Sequence, residues 1–218
     1  MCRLRNSVDV GSTDAGSVHP GGRFQMAVER FDLANAMDPR CEADASGTEH
    51  PKELLYARRM SDRLSTFAPD ASEALRLAVR CQHIRRWAIA RTEYPMDRMG
   101  YRRWRTALAA FHAAEAEKLL QESGYDRETI ARVQDLLQKR RLKKDVEVQI
   151  LEDVACLVFV EHYLADFAGK HLKEKVEDIL RKTWVKMSER GRAEAMSLEV
   201  PPHVRRLLER VVSRGIEE

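Results

Sequence analysis

No two cysteines in this chain stand close together. Cys2, Cys41, Cys81 and Cys156 form no CxxC pair, so neither a zinc knuckle nor a disulfide framework is indicated. Scattered thiols fit a reducing cytoplasm, with Cys81 and Cys156 placed in apolar helical runs as small core residues. Long hydrophobic runs are missing too. The longest, VACLVFV at 154–160, falls far short of the roughly 18 apolar residues that a membrane span needs. Arg3 and Arg5 are followed by no hydrophobic segment, so no secretory signal is expected. Nowhere do apolar and polar residues alternate between turn residues, which argues against a β-sheet.

Apolar residues make up 44% of the 218 and charged residues 33%, the balance of a soluble, mostly helical protein with a charge-rich surface. That length suits one main core. Residues 1–22, with SVDVGSTDAGSVHPGG, have no hydrophobic period and read as a disordered tail or an overextended start; the folded domain is expected over 23–218. RFQMAVERFDLANAM places Phe24, Val28, Phe31 and Leu33 or Ala34 near one helical face, and Asp38-Pro39 ends that helix before a polar loop. Pro51 opens a second helix and Pro69 closes it; Asp70 or Ser72 caps the third, which runs into CQHIRRW at 81–87. A long loop with Pro95 and Gly100 leads to a helix over about 102–122, and Asp126 caps the next. The most hydrophobic helix starts after Asp145, and two amphipathic segments complete an all-α fold of about eight helices.

Charge is unevenly spread. Residues 76–105 hold nine arginines against Glu93 and Asp97, a local excess of seven positive charges. Such density either solvates a helix face or meets an anionic partner.

Ionisable side chains on apolar helix faces are costly unless paired or metal-bound, and four positions qualify. His83 follows Val79 on its helix, and His112 shares a face with Leu108, Phe111 and Leu119, with Glu115 three residues on. Asp153 lies on the Ile150, Val154 and Leu157 side of the hydrophobic helix. Imidazole and carboxylate together suit Mn, Fe, Zn or Ni, so His83, His112 and Asp153 are candidate metal ligands, with Asp153 and Glu115 as candidate catalytic carboxylates. Arg85, Arg86, Arg102, Arg103 and Arg105, with Lys52, would hold a phosphate, because the guanidinium fork fits phosphate oxygens in two places. A metal beside such a clamp points to hydrolysis of a nucleotide or another small phosphate ester. Two other readings stand beside it. Arginines interleaved with Trp87, Tyr94, Tyr101 and Trp104, plus KRRLKK at 139–144, suit a non-catalytic RNA-binding or nucleotide-binding module. In a plain helical scaffold, Arg85 or Arg86 would pair internally with Asp153.

PKELLYARRM at 51–60, QHIRRW at 82–87, YPMDRMGYRRWRTAL at 94–108, LEDVACLVFVEHYLADF at 151–167 and KTWVKMS at 182–188 together resemble the bacterial and fungal family called domain of unknown function 4202. That family carries no established activity. More distantly, the order of segments is similar to the HD-domain phosphohydrolases, all-α enzymes that hold a metal with an early histidine, a His-Asp doublet and a late aspartate. LLYARRM resembles their first helix, with Tyr56 in place of its histidine. CQHI resembles their doublet, with Gln82-His83 in place of His-Asp. His112 and Asp153 keep the residue types that this resemblance implies. KMSER at 186–190 is similar to the signature loop of class I aminoacyl-tRNA synthetases, yet the chain has neither their second motif nor the strands of their nucleotide-binding domain.

Overall fold

The structure, a computed structural model, describes residues 22–214, and the expectation of a disordered tail falls almost wholly outside them. Among the described residues the chain is all-α apart from one short hairpin, as its periodicity predicts. Ten α-helices form: α1 (Gly22–Ala36), α2 (Lys52–Phe67), α3 (Glu73–Cys81), α4 (Arg98–Glu122), α5 (Arg127–Leu137), α6 (Val146–Val158), α7 (Leu164–Lys170), α8 (Lys173–Lys186), α9 (Glu189–Ser197) and α10 (Pro202–Arg214). The hairpin pairs β1 (Cys41–Ala43) with β2 (Glu49–Pro51) antiparallel. It lies where the sequence reads as a polar loop, because three-residue strands are too short to display an alternating period.

The described residues form two compact units, 22–61 with 72–138, and 62–71 with 139–214. In the first, α3 packs on α1 and α5, and α4 on α1 and α5. Leu75, Leu77, Ala78, Val79 and Cys81 are fully buried, so α3 is covered on two sides, as its pattern implies. The inward stripe of α1 differs from the expected one: Ala27, Phe31 and Asn35 are buried at four-residue spacing and Leu33 is 70% exposed. Local capping chemistry follows the sequence. The Ser72 side chain accepts from the Leu75 amide at the start of α3, and Asp126 from the Thr129 amide at the start of α5.

In the second unit α6 is the central element, with Leu151, Val154, Leu157 and Val158 fully buried, and it packs on α8 and α9. The hydrophobic helix does not run on regularly: residues Phe159–Tyr163 form a π-helical turn before α7. Within this unit Arg63 joins Glu161, 2.5 Å away, to Glu194 at 3.2 Å.

Candidate functional site

Buried Asn35, Glu53, Gln82 and His112 of the first unit converge on the end of α3. That helix stops at Cys81, one turn earlier than its apolar pattern suggests, so His83 sits in a turn and not on the helix. Arg85 then takes a left-handed conformation, φ 49°, which costs a non-glycine residue about 1–3 kcal/mol and needs support from its surroundings. Support comes from buried Asn35, whose Oδ1 accepts the Arg85 amide at 3.0 Å. The reversal sends neighbouring arginines different ways. Arg85 reaches Glu115 at 2.8 Å, while Arg86 turns over the ring of Trp104 at 4.8 Å.

Glu53, in the first turn of α2, is 4% exposed. Its amide donates to Asp38 Oδ2 at 3.2 Å, and Arg40 grips both oxygens of Asp38 while reaching Glu53 Oε1 at 3.0 Å. Locked in this way, Glu53 presents Oε2 to His83 Nδ1 at 3.6 Å. Burial pushes the Glu53 carboxyl above its ordinary value, against the pull of the Arg86 and Arg40 charges. Tyr56, one helical turn on, stacks on His83 with ring centroids 4.3 Å apart and donates its hydroxyl to Gln82 Oε1 at 3.3 Å.

The innermost member is His112 on α4, 4% exposed, its ring centroid 5.9 Å from that of His83. Nδ1 lies 2.8 Å from the carbonyl oxygen of Ile84, which can only accept, so Nδ1 carries the proton. Nε2 therefore holds a lone pair, and this buried atom has no hydrogen-bond partner among the described residues. Burial, then the charge of His83, hold the imidazole down at about 3, so it is neutral at physiological pH. A neutral histidine anchored through one nitrogen and open at the other is arranged to accept from a ligand hydroxyl or amine, or to bind a metal.

The remaining expected site residues are placed differently. Asp153 belongs to the second unit, where it is 1% exposed and accepts from the Ser188 amide at 2.8 Å, the Ser188 hydroxyl at 2.5 Å and Gln149 Nε2 at 3.1 Å. Ser188 in turn caps α9, which explains KMSER as capping chemistry between α8 and α9. Glu115 is taken up by Arg85, and that pairing differs from the Arg85–Asp153 bond that a scaffold reading expects. Lys52 lies 4.0 Å from Glu42, and Arg102, Arg103 and Arg105 are exposed on α4. Among the described residues, no group of three or more His, Cys, Asp or Glu side chains is placed to hold a metal ion.

Sequence reasoning did not single out Glu53. Its signal is its position three residues before Tyr56, which puts both on one face of α2, but the lock that orients it comes from Asp38 and Arg40 across the hairpin. The site is thus a helical protein's buried acid, imidazole and arginine cluster, formed where a helix end meets a second helix start. Residues 25–208 match the family described as Domain of unknown function (DUF4202), and the chain belongs to it. No curated protein and no solved structure matches the chain. Among the described residues no helix is long and apolar enough to cross a membrane.

Proposed function

We propose that the protein binds a small phosphate ester of the nucleotide class at the Glu53, His83, Arg86 and His112 cluster. The observation that carries this reading is the state of His112, a neutral, anchored ring whose buried Nε2 has no hydrogen-bond partner among the described residues. An unsatisfied buried acceptor costs roughly 1–3 kcal/mol, and a ligand hydroxyl or amine that donates to it removes that cost. The phosphate is matched by Arg86, whose charge is drawn into a partly desolvated setting beside Glu53 and Trp104. Glu53, with its raised affinity for a proton, can donate to a phosphate oxygen in its neutral form. Thermal unfolding of the full chain with nucleoside mono-, di- and triphosphates, and with inorganic phosphate, tests the proposal. At least one nucleotide raises Tm for the native protein and not for His112→Ala or Arg86→Met. No shift with any of them at millimolar concentration rejects it.

A second reading makes the same cluster a metal-dependent phosphohydrolase, favoured by the 3.6 Å approach of Glu53 to His83, a carboxyl and an imidazole suited to exchanging a proton. His83 and His112 would offer nitrogen donors to Mn, Fe, Zn or Ni, and a bound metal would supply an activated water. Two imidazoles without a third ligand do not complete such a site, and so no step is assigned to a metal here. Phosphate release on adding Mn separates the readings: turnover supports the enzyme, and saturable binding without turnover supports the binding module.

A further inference from the structure

Several arginines of this protein meet a carboxylate. Arg30, Arg40, Arg59, Arg63, Arg80 and Arg85 each do so. The first turns of α4 gather a group of arginines that do not. Arg98, Arg102 and Arg103 are exposed and have no ion pair or hydrogen bond from their side chains among the described residues, and Arg105 is exposed beside them. Arg98, Arg102 and Arg105 recur at helical spacing and share one face. The nearby acids form no ion pair with them among the described residues: Glu93 accepts from the Ala90 amide and Asp97 caps α4 through the Gly100 amide.

Among these charges stands an aromatic ring held from within. Tyr101 is 49% exposed, tilted against the buried Trp104 with centroids 5.9 Å apart, and the Arg91 guanidinium lies 5.9 Å over its ring. Trp104 is itself fixed, its indole N–H donating to the Ile89 carbonyl at 3.0 Å. The adjoining turn is closed tightly: a Cβ on Gly100 would stand 2.0 Å from the Pro95 carbonyl oxygen. Met96 and Met99, 77% and 55% exposed, flank it.

We infer that this surface binds single-stranded nucleic acid, with Arg98, Arg102 and Arg105 on successive phosphates and Tyr101 stacked on a base. Unpaired guanidiniums supply the attraction for a phosphate backbone, and a half-open ring already supported on its inner side provides a stacking platform at little ordering cost. An acidic protein segment would use the arginines but not the ring. A membrane surface would use the arginines and the two methionines. This surface meets the His112 cluster at Trp104, whose ring lies under Arg86 at 4.8 Å, but the charges and the ring that bind are other residues, and His112→Ala is expected to leave nucleic-acid binding intact even where nucleotide binding is lost.

The test is fluorescence anisotropy of a fluorescein-labelled oligouridylate of about 12 nucleotides with the full chain. Between about 50 mM and about 200 mM salt, log K falls linearly with log salt, with a slope near −2 for three neutralised phosphates. Arg102→Glu/Arg105→Glu weakens binding about tenfold or more; Tyr101→Ala weakens it about tenfold, and Tyr101→Phe restores it. Circular dichroism of these surface variants is expected to keep the helical signal. Absence of binding at low salt, or equal binding by the charge-reversed variant, overturns the inference. So does a phosphatidylserine vesicle or polyglutamate that binds in preference to the oligomer, with Tyr101→Ala unaffected.

Discussion

Asp153 and Ser188, thirty-five residues apart in the chain, hold each other at both ends: the Ser188 amide donates to one carboxylate oxygen and its hydroxyl to the other. The Gly191 amide donates to the same hydroxyl oxygen at 3.0 Å, so one relay ties α6 to the start of α9. A Cβ on Gly191 would lie 2.7 Å from Asp153 Cγ. Asp153→Ala removes the acceptor for both Ser188 donors and for Gln149, and Gly191→Ala forces the carboxylate out of place. Each is expected to lower unfolding free energy by about 2 kcal/mol in urea titrations, with nucleotide affinity unchanged. Lost affinity at native stability would return Asp153 to the ligand site.

His112 gives stability a pH dependence. Its pKa falls from the usual 6.5 to about 3 in the folded protein, so below 6.5 the unfolded chain binds a proton that the folded chain refuses. The stabilisation is complete above 6.5 and is lost as pH falls toward 3, at up to about 1.4 kcal/mol per pH unit. Urea midpoints measured across that range are expected to flatten in His112→Gln. An unchanged profile would show that the ring titrates freely.

Thiol chemistry should separate the cysteines. Burial pushes Cys156 up to about 12 and Cys81 higher still, whereas Cys41 is half-buried. In a Cys2→Ser background, a thiol reagent at pH 8 is expected to modify Cys41 first and to reach Cys81 and Cys156 only as the protein unfolds. Mass spectrometry of the labelled peptides gives the order.

Two ion pairs should differ in weight. Arg63 is 15% exposed and bridges two glutamates, while the Arg30 and Glu122 side chains are both more than 40% exposed. Arg63→Ala is expected to cost about 2 kcal/mol and Arg30→Ala less than about 1 kcal/mol. Raising the salt concentration should shrink only the second difference, as exposed charges are screened.

What the sequence determined by itself was whatever depends on neighbours along the chain. Helical period marked the elements, Ser72 and Asp126 announced their caps, and the apolar run after Asp145 identified the buried α6, because residues three or four apart meet on one face and a cap reaches its amide within three. His83 and His112 stood out for the same reason, as ionisable rings in apolar surroundings. Partners, in contrast, were decided only by tertiary structure. Asp153 looks like a ligand until α9 delivers Ser188 to it, Glu115 until the left-handed Arg85 swings onto it, and Glu53 looks like an ordinary first-turn acid until Asp38 and Arg40 seal it against His83. A carboxylate's chemistry depends on the charge and burial around it, and those are set by chain segments that the sequence keeps far apart.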